Sequence, residues 1–281
     1  MKYLVLGARG TLGQELVKQI HGLPNSQCFA MSHSDLAIEN SAQIEAYLEK
    51  SKPDVVINAS AYNAVDQAED EPAQAFLINS EAILHLARLT QKAGIRLVHY
   101  STDYVFDGVA EAPYTESSPT NPLSVYGKSK WLGEQAVIAA NPQSYCLRTA
   151  VVFGQHGNNF LTRLLEISKT KTQIDMVTDL IGCPMPAMSL AEITLTLLAK
   201  QAPFGLYHAA GSAACTRFEF AQEIVRVFNL PVKLNPTKMD PTKAKANRPL
   251  RVLLQNSRLN ELGITPQTWQ EGIQKICENQ W

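Results

Sequence analysis

The chain has 281 residues, with 25 Lys and Arg against 26 Asp and Glu and a formal net charge of −1. That length suits one large or two closely joined domains with a full core, and near-neutrality argues against nucleic acid or a membrane surface as partner. No apolar run approaches the ~20 residues that a spanning helix needs. Five dispersed cysteines without a C-x-x-C pair suit buried thiols in a reducing compartment better than a disulfide frame or a zinc site. The start runs from Met1 straight into a strand pattern, without the apolar stretch of a signal peptide, and the chain reads as cytosolic.

Short apolar runs alternate with helical patterns through the first half. Lys2 to Gly7 reads as a buried strand, and Leu12, Leu16 and Ile20 form one stripe of a helix over 12–20. A second strand ends at Cys28-Phe29-Ala30-Met31, and a third spans Asp54 to Asn58. The spacing predicts one long helix from Ala73 to Lys92, stopped near Gly94. A strand over 95–100, with His99 as an interior residue, a helix over 126–140 and a strand over 144–147 complete the pattern. Such alternation implies a Rossmann-type, doubly wound parallel sheet covered on both faces. Residues 1–150 are expected to form a dinucleotide-binding domain, and 151–281 a smaller α/β substrate-binding part, with a helix over 185–200 that can return to the first domain. A further helix is expected over 218–228. Between Pro231 and Pro249, Lys233, Lys238, Lys243, Lys245 and Arg248 stand in a stretch of little periodicity. It reads equally as a solvated loop or as a mobile basic flap over an anionic substrate.

Two motifs carry chemistry. Gly7, Gly10 and Gly13 follow a strand and open a helix, with Arg9, Thr11 and Leu12 between them. Glycine permits the tight turn, and the helix N-terminus receives a diphosphate. At the end of the second strand, where NAD-specific sites often hold an acid for the ribose, the chain has Ser32-His33-Ser34, and Asp35 comes late. Arg9 can reach a 2′-phosphate, so NADPH is the expected cofactor, with NADH as the alternative. The second motif is Tyr126-Gly127-Lys128-Ser129-Lys130. Tyr126 and Lys130, four apart, share a helix face, where the ammonium can favour the phenolate. Bringing a phenol from ~10 to roughly 7 takes ~4 kcal/mol.

With the segments Asn58-Ala59-Ser60-Ala61-Tyr62-Asn63-Ala64-Val65-Asp66, Tyr100-Ser101-Thr102-Asp103-Tyr104-Val105-Phe106, Gly133-Glu134, Leu147-Arg148-Thr149, Gly182-Cys183-Pro184, Tyr207-His208-Ala209 and Arg248-Pro249, the chain resembles the extended short-chain dehydrogenase/reductases. Within them it is most similar to the dTDP-4-dehydrorhamnose reductases, over nearly its whole length. The resemblance implies NAD(P)H on the sheet, a nucleotide sugar on the C-terminal part, and reduction of the C4 ketone of a dTDP-linked 6-deoxyhexose. It implies Thr102, Tyr126 and Lys130 as the catalytic set. Tyr126 would protonate the nascent alkoxide, Thr102 would hydrogen-bond it, and Lys130 would hold the ribose and tune Tyr126. Related dehydratases carry Thr-Asp-Glu where this chain has Thr102-Asp103-Tyr104, which favours ketone reduction over water elimination.

Departures fall on the substrate side. Val151 stands where the reductases usually have a Trp, and Val252 and Leu254-Gln255 replace a Ser and a Leu-Asp. Asn58 and Tyr62 either face the nicotinamide or ribose, alongside Ala59, Ser60 and Ala61, or merely pack and cap the third strand. Asp103 is a substrate contact or a turn residue, Asn159 a substrate contact or a helix cap, and Arg248 a partner for the substrate diphosphate. His33 is placed with the cofactor. Some members of the family use a divalent metal at dimer contacts; nothing in this sequence compels a metal site, and a homodimer is one assembly open to it. The alternatives are a reductase of a different nucleotide sugar and, in a second class of reading, a non-catalytic dinucleotide-binding partner, similar to the regulatory subunit of methionine adenosyltransferase.

Overall fold

The structure, a computed structural model, describes residues 1–279 other than 241 and 243; Lys243 of the basic stretch therefore lies outside the described residues. The first half runs β1 (Lys2–Leu6), α1 (Thr11–His21), β2 (Gln27–Met31), α2 (Ser41–Ser51), β3 (Val55–Asn58), α3 (Gln67–Asp70), α4 (Pro72–Phe76), a π-helical turn (Leu77–Glu81), α5 (Ala82–Lys92), β4 (Arg96–Thr102), α6 (Val125–Ala140) and β5 (Ser144–Thr149). The second half runs β6 (Val152–Phe153), α7 (Phe160–Ile167), β7 (Gln173–Val177), β8 (Ile181–Gly182), β9 (Met185–Pro186), α8 (Ala187–Ala199), β10 (Gly205–His208), β11 (Cys215–Thr216), α9 (Arg217–Val227), β12 (Lys233–Thr237), α10 (Ser257–Glu261) and α11 (Trp269–Glu278).

A six-stranded sheet has the order β10-β5-β4-β3-β1-β2, and every pairing in it is parallel. The order reverses at β1, which lies between β2 and β3. Ligands of doubly wound sheets bind at such a switch point, beyond the carboxyl ends of the strands. β1, β3, β4 and β5 are runs of Val, Ile, Leu and Tyr buried on both sides, as a sheet sandwiched between helices requires. Helix α8, apolar around most of its circumference, packs on α1. Its Leu190, Ile193 and Leu197 join Val5, Leu16 and Ile57 in one core cluster. With β10 paired to β5, the chain returns to the sheet after residue 185, and the remainder of the second half gathers around Phe220. That ring meets Phe153 at 4.9 Å, Phe160 at 5.1 Å and Trp269 at 5.8 Å.

The long helix expected over 73–92 is interrupted. Its middle widens into a π turn at Leu77–Glu81, where the facing helix comes close. A Cβ on Gly133 of α6 would stand 2.0 Å from the carbonyl oxygen of Asn79, so α6 presses onto the bulge itself. The turn carries the buried Asn79, whose side chain accepts from the N–H of Tyr62 at 2.9 Å and donates to the Tyr62 carbonyl and to Ser129 Oγ, each at 3.0 Å. Single-turn π bulges of this kind recur where a helix must deliver a side chain off its regular stripe. Here the bulge ties the loop after β3 to the pentad on α6.

The basic stretch after Pro231 is only partly a loop. Lys233–Thr237 pairs as β12 with β7. Beyond it, Lys245 is bonded to Asp70 and Arg248 forks onto Asp66, at 2.6 and 2.9 Å. Its cations thus strap the second half to α3, on the side of the cleft that follows β3.

Candidate active site

The glycine turn is shaped by β1 and the loop after β3. Gly7 has φ +75° and lies so close to that loop that a Cβ would meet Ser60 N at 2.7 Å, while a Cβ on Gly13 would fall 2.1 Å from the Gly7 carbonyl. Gly10 caps α1 with no side-chain bond, so the first N–H groups of the helix are left to a ligand. That open, donor-rich helix start fits the diphosphate of a dinucleotide.

Beside it, Arg9, Ser32, Asp35 and His156 line a cavity of about 390 Å³. Asp35 is turned into its own loop, accepting from Ser32 N at 2.9 Å and from Ser32 Oγ at 2.5 Å. Those bonds, with a smaller contribution from Arg9, hold its carboxyl below the ordinary range. The one nearby acid is thereby engaged, and Arg9 is left facing the cavity. His33 does not join it: its ring points outward to Glu39 at 2.7 Å. His156, which sequence reasoning did not single out, takes a place in that wall.

Over the carboxyl ends of β3, β4 and β5 lies a cleft of about 530 Å³, open to solvent at its mouth and lined by Asn58–Ala61, Thr102, Asp103, Tyr126, Lys130, Val151 and Asn159 among others. The structure thus brings the expected catalytic trio to one cavity with the loop after β3. Tyr62 does not face it; its hydroxyl donates to Glu71 at 2.8 Å. Asn58 lines the cleft, yet its side chain is engaged within the fold, accepting from Ser60 N at 3.1 Å and meeting His99 Nδ1 at 3.2 Å. His99 is buried and held neutral by desolvation, and its Nε2 finds no partner among the described residues. Asn159 also reaches the wall, but it caps α7. Its oxygen accepts from Leu161 N and Thr162 N, and its amide donates to the Gly154 and His156 carbonyls.

The electrostatics of the trio differ from those expected of a Lys-tuned phenolate. Lys130 is buried and donates to the Tyr100 carbonyl at 2.5 Å, and burial lowers its pKa to about 8. It is not among the groups that shift Tyr126. Desolvation pushes the Tyr126 phenol well above its ordinary value, and only the Thr102 hydroxyl opposes this. The phenol therefore enters the reaction protonated, the state that a proton donor needs. Tyr104 packs edge-on against it, 5.6 Å between ring centroids. Thr102 donates its own proton to Asp103 Oδ1 at 3.0 Å, and burial raises Asp103 to about 6.

Arg248 does not line the cleft. It stands near the Tyr104 hydroxyl, with Asp66 as its main partner. The Asp66 carboxyl is held down at about 2, chiefly by that bond. Besides Lys130, the cleft wall presents Arg217, missed in the sequence. Thr216 and Glu219 form a capping box that starts α9. The Thr-x-x-Glu signature marks that start but says nothing of where the first side chain points. Among the described residues, no helix is long and apolar enough to cross a membrane.

The chain is 37% identical to a dTDP-4-dehydrorhamnose reductase of Burkholderia thailandensis, over 97% of this chain and 97% of that protein. It superposes on the crystal structure of a dTDP-4-dehydrorhamnose reductase from Clostridium acetobutylicum with a TM-score of 0.95, at 34% identity over 100% of this chain and 99% of the other. The Bacillus anthracis dTDP-4-dehydrorhamnose reductase in complex with NADP matches with a TM-score of 0.93, at 30% identity over 99% of each chain. The family model described as the RmlD substrate binding domain matches residues 1–280, and with the parallel sheet, the glycine turn and the Tyr126–Lys130 pair at one cleft, the chain belongs to that family, within the extended short-chain dehydrogenase/reductases.

Proposed function

We propose that the protein is an NADPH-dependent oxidoreductase that reduces the C4 ketone of a dTDP-linked 6-deoxyhexose, dTDP-4-dehydrorhamnose to dTDP-rhamnose. The observation that carries this reading is a protonated, partly buried phenol, Tyr126, in the same cleft as an uncapped α1 N-terminus. Reductases of that substrate align over almost the entire chain. NADPH supplies a hydride when bound. The turn Gly7–Gly13 would hold its diphosphate, the loop Asn58–Ala61 and Lys130 its nicotinamide side, and Arg9 its 2′-phosphate.

Tyr126 donates its proton to the ketone oxygen as negative charge grows there. Thr102 supports the same oxygen once its hydroxyl proton is released from Asp103, which protonation of Asp103 near pH 6 allows. Lys130, fixed on the Tyr100 carbonyl, keeps a cation beneath the ribose. Asp103 and Val151 line the sugar's place. A soluble nucleotide-sugar enzyme of this kind works in the cytoplasm, without nucleic acid or membrane partners, and a homodimer is compatible with it.

The test is NADPH oxidation with dTDP-4-dehydrorhamnose as substrate. Wild type turns over, and Tyr126→Phe loses roughly 10²–10⁴-fold in kcat with its NADPH affinity intact. Tight cofactor binding without turnover by the wild type would sink the reductase reading in favour of a dinucleotide-binding partner protein.

A further inference from the structure

Tyr126 and Lys130 share their face of α6 with a third residue. Glu134 stands one further turn along the same stripe, and it is fully buried. Its carboxylate reaches two strands at once. Oε2 accepts from Ser101 Oγ of β4 at 2.8 Å and from Arg148 Nε of β5 at 2.9 Å, and Oε1 accepts from Arg148 Nη2 at 2.5 Å. Ser101 and Arg148 are register partners. Each immediately precedes a threonine of the cleft wall, Thr102 and Thr149.

The arginine end of this contact is fixed. Its remaining nitrogen, Nη1, lies 3.4 Å from His208 Nε2 on β10, and the guanidinium stands 5.0 Å over the Phe106 ring. His208 Nδ1 faces the Gln255 carbonyl at 3.1 Å, so Nδ1 carries the proton and Nε2 accepts from the arginine. With every guanidinium nitrogen engaged, Arg148 cannot follow a carboxylate that moves. The Glu134 side chain therefore sets the spacing between α6 and the residues under Thr102. It also supplies charge. His99 from β4, Cys146 from β5 and Glu134 from its own helix act on or with Lys130. His99 is held neutral and burial pushes the Cys146 thiol well up, which leaves Glu134 as the anion of that set.

A fold does not require such a pair, since apolar side chains of similar volume in place of a buried ion pair are often neutral or stabilising. Reduction does require the geometry. The Tyr126 and Thr102 hydroxyls serve one ketone oxygen from opposite sides of the gap that Glu134 spans. We infer that Glu134 is a positioning residue for the reduction, holding Tyr126 and Lys130 at the level of Thr102 by anchoring α6 on Ser101 and Arg148. This deepens the proposed reductase reading and rests on it.

The experiment compares wild type, Glu134→Asp and the double variant Glu134→Met with Arg148→Met, as full chains. Urea unfolding, NADPH fluorescence titration and NADPH oxidation with dTDP-4-dehydrorhamnose are measured for each. Glu134→Asp keeps the charge and shortens the arm by one methylene. It is expected to lose roughly 10–100-fold in kcat, the cost of about 1 Å of misplacement, with KM for the nucleotide sugar within about threefold of wild type. The double variant is expected to unfold at a urea midpoint close to wild type. It stays roughly 100-fold down in kcat and binds NADPH about fivefold more weakly through the displaced Lys130. A merely structural pair would let kcat recover with stability. A kcat within about threefold of wild type in either folded variant overturns the inference, as does a loss confined to KM. Should the double variant not fold, Glu134→Asp decides by the same criterion. If the wild type binds NADPH but turns over no ketone, the proposed reaction falls and NADPH affinity decides the inference. A loss of about fivefold in the variants then sustains it, and unchanged affinity overturns it.

Discussion

The cofactor side of the cleft comes from two loops at the ends of neighbouring strands, Gly7–Gly13 after β1 and Asn58–Ala61 after β3, which touch each other through backbone. The substrate side collects single residues, Val151, Leu180, Arg217 and Pro249, from segments far apart in the chain. The first is held by close backbone packing that no side chain can replace. The second is held by side-chain bonds, such as Asp66 to Arg248, whose partners are remote in sequence. Damage should therefore be abrupt on one side and graded on the other.

That contrast can be broken most forcefully at Gly13. A methyl group there would meet the backbone of Gly7 and Ala8 at 2.1 and 2.8 Å. Gly13→Ala is expected to lose about 1–3 kcal/mol of stability in urea unfolding and most NADPH binding by fluorescence titration; near-wild-type behaviour would show that the turn yields.

A middle-sized effect is expected of pH at Asp103. Burial raises it to about 6, so below that pH the folded protein keeps the carboxyl neutral and Thr102 is free to serve the substrate. As pH rises through 6 the carboxylate forms, recaptures the Thr102 proton and adds negative charge beside the substrate. kcat/KM should fall by about tenfold per unit above that point, and Asp103→Asn should flatten the profile. A wild-type profile without this descending limb refutes the role.

The smallest effect is expected at the strap. Asp66→Asn should raise KM for the nucleotide sugar a few-fold and cost less than ~1 kcal/mol, because the Asp66 side chain is 48% exposed and the pair is screened. The sign follows from the depressed carboxyl. The contribution is fully present above about pH 4 and is lost as pH falls toward 2. A stability curve that Asp66→Asn leaves unchanged over that window would remove the strap from the account.

The sheet, the glycine turn and the placing of Tyr126 and Lys130 at one cleft were legible because their signals are local: runs of buried Val, Ile and Leu for the strands, three glycines at fixed spacing, a Tyr and a Lys one helical turn apart. The π turn was not, since Leu77–Glu81 keeps a helical composition and its close contact with Gly133 is remote in sequence. Nor were β6, β8, β9 and β11, each two residues long, too short to show a period of two. Tyr62 carries the right chemistry at the right place in the chain, but its hydroxyl is directed to Glu71, and Asn159 reaches the cleft wall while its side chain caps α7. Arg217 was invisible for the opposite reason. It opens an ordinary amphipathic helix, and its exposure to the cleft arises only when α9 packs under Phe160.

Helix α3 is one turn long, yet three of its neighbourhood's carboxylates reach different parts of the molecule. Asp66 and Asp70 hold the strap, and Glu69 accepts from the N–H of Val125 at 2.8 Å, the first residue of the helix that carries Tyr126. Those attachments share one short carrier, so none can shift far without the others. A change that displaced α3 would therefore disturb the strap and the start of the Tyr126 helix together.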